Sequence, residues 1–415
     1  MKIIVLTQYY PPEAGAPQNR LSSMAAAFNE MGAEVTVLTA MPNYPEMVVH
    51  EGYRRKFHVR EELDGITVHR SWIHASRGRS LFARLMNYFS FVFTSLVTGL
   101  FVLRRSDVLL VESPPLFLGI SAMLLARVKR ANLVFNVSDL WPESAVQLGL
   151  VKNRVMIGLS TWLEMRCYRR AALITGQTQG IVQNIQLRCP DRKVLWVPNG
   201  MDVRAVELAG RSLAPAAIRM RHGLAGGDMV VAYAGILGHA QGLEVVLQAA
   251  RLLKDRPDIA FIIVGDGPEK RKLLEMKEAM GLAQVRFLGR MPRQELLELY
   301  RTVDVVVVPL RRNDLFKGAI PSKIVEALAM EKPVLLGVEG EACALFIDDA
   351  RAGLAFTPED PASLADAVLH YYGDRTLLRV HGASGARYVR ERFDRAKINA
   401  GLFKELQQIG GGRAV

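Results

Sequence analysis

Two consecutive doubly wound α/β domains are what this 415-residue sequence predicts. Three observations predict them. Continuous apolar runs of strand length alternate with amphipathic helical stretches, the pattern of parallel strands covered on both faces. Several runs end in loops rich in glycine or proline, as strands do where they open into a crevice. The alternation also starts afresh after Pro198-Asn199-Gly200-Met201-Asp202, and the chain is too long for a single core.

Taken in order, Lys2–Thr7 reads as a buried strand opening into the loop Tyr9-Tyr10-Pro11-Pro12-Glu13-Ala14-Gly15-Ala16-Pro17. A helix over Asn19–Met31 follows, stopped by Gly32, and a strand over Glu34–Thr39 completes the first βαβ unit. Val108–Val111, Leu133–Val137, Leu173–Thr175 and Lys193–Val197 continue the sheet. In the second half, Met229–Ala234 is a strand closed by Gly235, with a helix over Leu243–Lys254. Ile259–Val264 ends in Gly265-Asp266-Gly267-Pro268, which alone reads as an ordinary tight turn. Val285–Leu288, Val305–Pro309, Pro333–Gly337 and Leu354–Ala355 complete the alternation. The last helical stretch, Leu364–Ile409, has no strand after it and is free to cap the second domain or cross back to the first, with a frayed tail at Gly410–Gly412. The expected division is 1–198, 199–385, and a crossing helix and tail over 386–415.

Half of the residues are hydrophobic and 23% are charged, which excludes disorder, collagen and coiled coil as global descriptions. Cys167, Cys189 and Cys343 are too few and too scattered for a disulfide framework or a zinc site, so a reducing compartment is expected. The opening residues carry no signal-peptide pattern, and a cytoplasmic location is expected. The net charge of +12 is lopsided: residues 1–200 hold 23 Lys and Arg against 14 Asp and Glu. A basic first half favours an anionic partner. Between Arg84 and Arg104 lie 19 uncharged residues, Leu85–Leu103. A buried core helix, a helix lying in the membrane interface and a true span all fit that length, and Arg77, Arg79, Arg84, Arg104, Arg105, Arg127, Lys129 and Arg130 nearby would attract anionic headgroups.

In a two-domain α/β protein the ligand belongs where strand C-termini face a cleft. The loop bearing Gly15 lets backbone approach a ligand closely. Ser138-Asp139-Leu140-Trp141-Pro142-Glu143 follows a strand and suits sugar recognition, with Asp139 bonding hydroxyls and Trp141 offering an apolar face; helix capping is its structural alternative. Pro321 and Ser322 start a helix with Lys323 in its first turn. A cation beside the positive end of a helix dipole argues for an anionic ligand, so the helix start at Pro321 and Ser322 with Lys323 reads as a diphosphate site; a solvent-facing Lys323 and Glu326 is its structural alternative. Glu326, a turn further on, is placed to bond a ribose diol. His239 is a candidate at the cleft's edge. No Asp-x-Asp, paired-His or Gly-x-Ser-x-Gly motif is present, and neither metal nor cofactor is expected.

These residues carry a resemblance. Val197-Pro198-Asn199-Gly200-Met201-Asp202, Val264-Gly265-Asp266-Gly267-Pro268-Glu269, Phe287-Leu288-Gly289-Arg290, Ala319-Ile320-Pro321-Ser322-Lys323 with Glu326-Ala327-Leu328-Ala329, and Glu391-Arg392-Phe393 stand in an order that resembles the retaining GT-B glycosyltransferases of family 4. The resemblance covers nearly the whole chain. It implies two Rossmann-like domains facing a cleft, the second holding a UDP-sugar donor and the first an acceptor. Gly289, Arg290 and Met291 match the stretch whose backbone reads the base, Glu326 the ribose-binding glutamate, and Lys323 with the Pro321–Ile324 amides the diphosphate site. Gly15 would lie near the phosphate and Asp139 near the donor sugar, with Trp141, Glu143 and His239 as further contacts. Front-side attack without metal, the leaving diphosphate held by Lys323 and helix amides, would give retention.

Asp-Leu-Trp-Pro-Glu, Ala-Gln-Gly-Leu-Glu and Pro-Ser-Lys together resemble the subgroup that builds bacterial surface polysaccharides, including N-acetyl-fucosamine transferases of O-antigen, capsule and colanic acid assembly. That implies an N-acetylated amino sugar, a polyprenyl-diphosphate-linked acceptor and a peripheral place on the inner face of the cell membrane, with no nucleic acid as partner. The chain departs from the family at three positions. Gly318 replaces the first of two glutamates, and Ile236 and Gln241 replace an Arg and a Lys that bind diphosphate, leaving Lys323, with Lys317 or Arg312, to supply that charge. Those departures keep a non-catalytic sugar-nucleotide binder in view, beside a UDP-sugar epimerase on the same fold, which would need a denser acid/base cluster.

Overall fold

The computed structural model describes residues 1–13, 15–76, 81–147, 151–203, 205, 206 and 215–411. Arg77, Arg79 and Gly412, named above, lie outside the described residues. The chain divides into two compact units, Met1–Asn199 with Ala396–Val415, and Gly200–Arg395. The domains are Rossmann-like.

The first unit is built on an eight-stranded sheet. Its strands are β1 (Lys2–Leu6), β2 (Glu34–Ala40), β3 (His58–Leu63), β4 (Ile66–Ser71), β5 (Val108–Ser113), β6 (Asn132–Val137), β7 (Leu173–Gly176) and β8 (Val194–Trp196). They lie in the order β3-β4-β2-β1-β5-β6-β7-β8. All neighbours are parallel except β3, which pairs antiparallel with β4. Ile3, Ile4, Val5 and Leu6 are buried, as a central parallel strand requires. The β3–β4 hairpin is absent from the strands expected above. Its strand His58–Leu63 is an edge with alternating exposure, so it lacks the continuous apolar run of its neighbours. Asp64 and Gly65, both at positive φ, make its two-residue turn, and Asp-Gly is the sequence signal that marks it.

The second unit has a six-stranded parallel sheet of β9 (Met229–Ala234), β10 (Ile259–Val264), β11 (Val285–Gly289), β12 (Val305–Pro309), β13 (Val334–Gly337) and β14 (Gly353–Ala355). The order is β11-β10-β9-β12-β13-β14. The order reverses between β9 and β12 here, and between β1 and β5 in the first unit, which marks the switch point where such sheets hold ligands.

Helix starts follow local chemistry. Asn153 caps Arg154–Arg170 by accepting from the Val155 and Met156 amides at 2.9 and 3.2 Å, and Asp360 caps Pro361–Gly373 in the same way. The single stretch expected over Leu364–Ile409 is three helices, Pro361–Gly373, Thr376–Arg392 and Arg395–Gly411. Only the last packs in the first unit, where Leu402, Phe403 and Leu406 join the core of Leu21, Phe28 and Val35. Gly410 and Gly411 are helical rather than frayed, and Asn132 Nδ2 donates to the Ile409 carbonyl at 2.8 Å.

The apolar stretch after Arg84 forms the helix Leu81–Val102. It packs with its polar side inward. Asn87, Thr94, Ser95 and Thr98 are buried, and Gln8 Nε2 donates to Asn87 Oδ1 at 2.7 Å while Thr94 Oγ1 donates to the Trp72 carbonyl at 2.5 Å. Phe93 and Phe101 stand outward, 65% and 85% exposed. The core reading therefore describes one face of this helix only.

Candidate functional site

Three adjacent strands of the second sheet end in glycine: Gly235 after β9, Gly265 after β10 and Gly289 in β11, at φ 145°, 142° and 69°. These angles suit a residue without a Cβ. Contact demands it as well. A Cβ on Gly265 would stand 1.8 Å from the Gly235 carbonyl oxygen, and one on Gly267 would stand 2.5 Å from the Leu237 oxygen. The two loops are laced by backbone bonds from Leu237 N to Asp266 O at 2.9 Å and from Glu269 N to Leu237 O at 3.0 Å. Gly265-Asp266-Gly267-Pro268 is thus half of a paired loop built for close backbone approach, more than the ordinary turn its sequence suggests.

Lys323 reaches into this place from the helix Ser322–Ala329, whose first turn no side chain caps. Its Nζ lies over the Tyr233 ring, 4.0 Å from the centroid. A Cβ on Gly235 would stand 2.8 Å from that nitrogen. Tyr233 in turn donates its hydroxyl to the Ile236 carbonyl at 2.6 Å. One aromatic residue therefore holds both the loop and the ammonium. Burial pushes the Lys323 pKa down to about 7, against the pull of Glu326. An ammonium whose charge burial disfavours, set beside uncapped helix amides, gains from an arriving anion.

Glu326, one turn along, is held by Arg293 at 3.3 Å, and burial raises its carboxyl pKa against Arg293 and Lys323. Tyr300, fully buried beside it, has a hydroxyl without a protein partner. Arg293 and Tyr300 were not singled out from sequence; Arg293 stands three residues after Arg290, and nothing in the pattern separates the two. Gly289 accepts from the Gly265 amide at 2.8 Å, with Arg290 exposed and Met291 half-buried after it. Pro321, Ser322 and Ile324 form the helix start as expected from their types. Ile236 is 68% exposed. The cations expected to replace the missing ones are engaged elsewhere: Arg312 with Glu339 at 3.0 Å and Lys317 with Asp314 at 2.6 Å. His239 is exposed in a short 3-10 turn, and its carbonyl accepts from Arg311 Nε at 2.7 Å.

In the first unit, a buried polar network lies at the C-terminal ends of β5, β6 and β7. Arg20 pairs with Glu112 at 2.5 Å and reaches Ser138 Oγ at 2.9 Å and Asn199 Oδ1 at 3.0 Å. Asn136 and Ser138 also donate to Glu112, Gln177 donates to Ser138 at 2.5 Å, and Asn199 donates to Gln177 at 3.0 Å. None of Arg20, Glu112 or Gln177 was predicted, because the residues that meet here come from distant places in the chain. The signal was Glu112, a charge directly after the apolar run Val108-Leu109-Leu110-Val111.

Asp139 lies beside this network, in the loop after β6. The residue is exposed, yet crowding of its carboxyl raises its pKa while Ser144 Oγ donates to it at 2.5 Å. Trp141 is half-buried, edge-on to Phe117 with ring centroids 5.1 Å apart, so much of its apolar face serves the core. Glu143 is exposed, 3.9 Å from Arg188. Gly15 precedes the helix Ala16–Glu30, and a Cβ there would stand 2.5 Å from the buried Gln18 Oε1. Glu13 fastens the same loop by accepting from the Asn43 and Tyr44 amides at 2.7 and 2.8 Å. Among the described residues no group of three or more His, Cys, Asp or Glu gathers as metal ligands.

Residues 15–200 match the family model of a glycosyl transferase 4-like domain, and residues 216–386 match that of glycosyl transferases group 1. The chain belongs to the GT-B glycosyltransferases. This glycosyltransferase is 26% identical to WcaI of Escherichia coli, named for colanic acid biosynthesis and glycosyl transfer, over 96% of the chain and 98% of WcaI. It is 27% identical to WbjE of Pseudomonas aeruginosa, named a glycosyltransferase, over 63% of the chain and 65% of WbjE. Among solved structures, Alr3699/HepE of Anabaena in complex with UDP covers 98% of the glycosyltransferase and 100% of its own chain, with a TM-score of 0.69 at 19% identity. The chain is thus similar to surface-polysaccharide glycosyltransferases.

Proposed function

We propose that this chain is a retaining, metal-independent glycosyltransferase that moves a sugar, an N-acetylated amino sugar, from a UDP-sugar to a polyprenyl-diphosphate-linked acceptor at the inner face of the cell membrane, in O-antigen, capsule or related polysaccharide synthesis. The observation that carries the donor assignment is Lys323 set over Tyr233 beside Gly235, at a helix start without a side-chain cap. HepE, of the same fold, was solved with UDP and with UDP-glucose, which supports a UDP-sugar here.

In this reading the Pro321–Ile324 amides and Lys323 take the diphosphate and stabilise its charge as the glycosidic bond breaks. Glu326, steadied by Arg293, accepts from the ribose hydroxyls, and the backbone of Gly289, Arg290 and Met291 faces the base. Gly15 lets the first domain's loop approach the donor phosphate, and Asp139, whose raised pKa suits hydrogen bonding, positions the donor sugar. Trp141, Glu143 and His239 are lesser contacts. UDP release over a panel of UDP-sugars in EDTA, with and without polyprenyl-diphosphate sugar, tests the reading; release from one donor that depends on acceptor supports it.

Exposed Ile236, with Arg312 and Lys317 already paired, favours a second reading, a sugar-nucleotide binder without turnover. UDP binding with no release from any donor and acceptor pair would support that one.

A further inference from the structure

The first unit carries a cavity of about 980 Å³. It runs between the helices Leu118–Lys129 and Arg154–Arg170, which lead from β5 to β6 and from β6 to β7. Both helices therefore travel from the C-terminal edge of the sheet back to the strand starts. Their outward residues change character along the way. Val155, Leu159 and Trp162 stand on one helical stripe, 70%, 63% and 64% exposed, and the same stripe continues as Arg166 and Arg170. Across the groove, Leu124 is 46% exposed and is followed by Arg127 and Arg130. Arg192 joins them just before β8. Among the described residues no acidic one lines the groove. An apolar trough that ends in a cluster of guanidinium groups matches an amphiphile with an anionic head.

We propose that this groove seats an anionic phospholipid of the membrane leaflet, its acyl chain along Leu124, Leu159 and Trp162 and its phosphate among Arg127, Arg130 and Arg170. Phe89 of the neighbouring helix Leu81–Val102 lines the same cavity, and Phe93 and Phe101 of that helix stand outward. The charge runs the wrong way for the acceptor lipid. The arginines sit at the starts of β6 and β7, a strand length of about 20 Å from the C-terminal edge where the acceptor sugar must react. The proposal deepens the membrane placement given above and rests on that part of it alone, because the donor chemistry stands in the other domain.

The test is sedimentation of the full chain with vesicles of phosphatidylglycerol in phosphatidylcholine, compared with phosphatidylcholine alone. The expected result is at least tenfold tighter binding with phosphatidylglycerol. Two double variants, Leu159→Ala with Trp162→Ala and Arg127→Gln with Arg170→Gln, should each lose at least tenfold, while affinity for UDP stays within twofold and shows the fold intact. Phosphatidylglycerol with brominated chains should quench tryptophan fluorescence, and Trp162→Phe should remove most of that quenching. Vesicle binding that survives either double variant, or quenching unchanged in Trp162→Phe, overturns the proposal. So does displacement from vesicles by millimolar inorganic phosphate, which would reveal an ion site only, or by polyprenyl diphosphate, which would make the groove an acceptor site. Failure of the wild type to bind any vesicle overturns it too, and leaves the UDP-release reading standing.

Discussion

At Lys323 three forces meet: the Tyr233 ring attracts the ammonium, burial favours its neutral form, and the helix start leaves positive dipole unanswered. A diphosphate tips the balance toward the charged form, so binding takes up a proton. The pKa in the free protein is lowered to about 7, which fixes the sign. Below pH 7 the ammonium is already charged and UDP affinity should be flat in this group. From pH 7 to pH 9 affinity should fall by up to about tenfold per unit, since the phosphates themselves are fully ionised there. Calorimetric titration of UDP in two buffers of different ionisation enthalpy reads the proton uptake directly. Lys323→Arg keeps its charge across this range, and its UDP affinity should lose the slope. Lys323→Ala should lower turnover by about 100-fold or more, the scale set by removing one preorganised donor to a developing anion. A rate within a few-fold of wild type would move the phosphate site elsewhere.

At the scale of elements, the ends of β9, β10 and β11 are where loop chemistry and packing coincide. Gly265→Ala must push its Cβ away from a backbone oxygen 1.8 Å distant at φ 142°, so the paired loops have to open. Loss of about 1–3 kcal/mol is expected from the backbone angle alone, seen as a lower unfolding temperature together with weaker UDP binding. In the first unit, Glu112→Ala leaves Arg20 buried without its carboxylate, and a loss of about 3–5 kcal/mol should appear as a lower unfolding temperature, with UDP affinity little changed.

The parallel strands were legible because continuous apolar runs have one stable setting, a sheet covered on both faces. The place of Lys323 at a helix start was legible too, because Pro321 and Ser322 begin the helix Ser322–Ala329. The β3–β4 hairpin was not, because an edge strand such as His58–Leu63 keeps half its residues in water and shows only the Asp64-Gly65 turn. The Arg20–Glu112–Gln177 network was hidden for another reason. Its members come from five segments, and the register of β5, β6 and β7 brings Glu112, Asn136, Ser138 and Gln177 to the place where Arg20 and Asn199 meet them. The outward phenylalanines of Leu81–Val102 were likewise hidden, since an apolar stretch does not say which side its few polar residues will face.

At the scale of the whole molecule, the proposed function divides the labour between the two units. The second carries glycine-ended strands, a lysine at a helix start and a glutamate held by arginine, the parts needed for a nucleotide diphosphate. The first carries the basic surplus, a helix with phenylalanines outward and an arginine-ended groove, the parts needed near a lipid surface. The two expectations separate in experiment. UDP binding should persist in the groove variants, and vesicle binding should persist in Lys323→Ala. The measurement that tests the central claim most directly is UDP release from a panel of UDP-sugars in EDTA, with and without a polyprenyl-diphosphate-linked sugar. The account predicts release from one donor that rises with acceptor, persists in EDTA and collapses in Lys323→Ala. Release that requires a divalent metal, or a wild-type protein that binds no UDP at all, would contradict it.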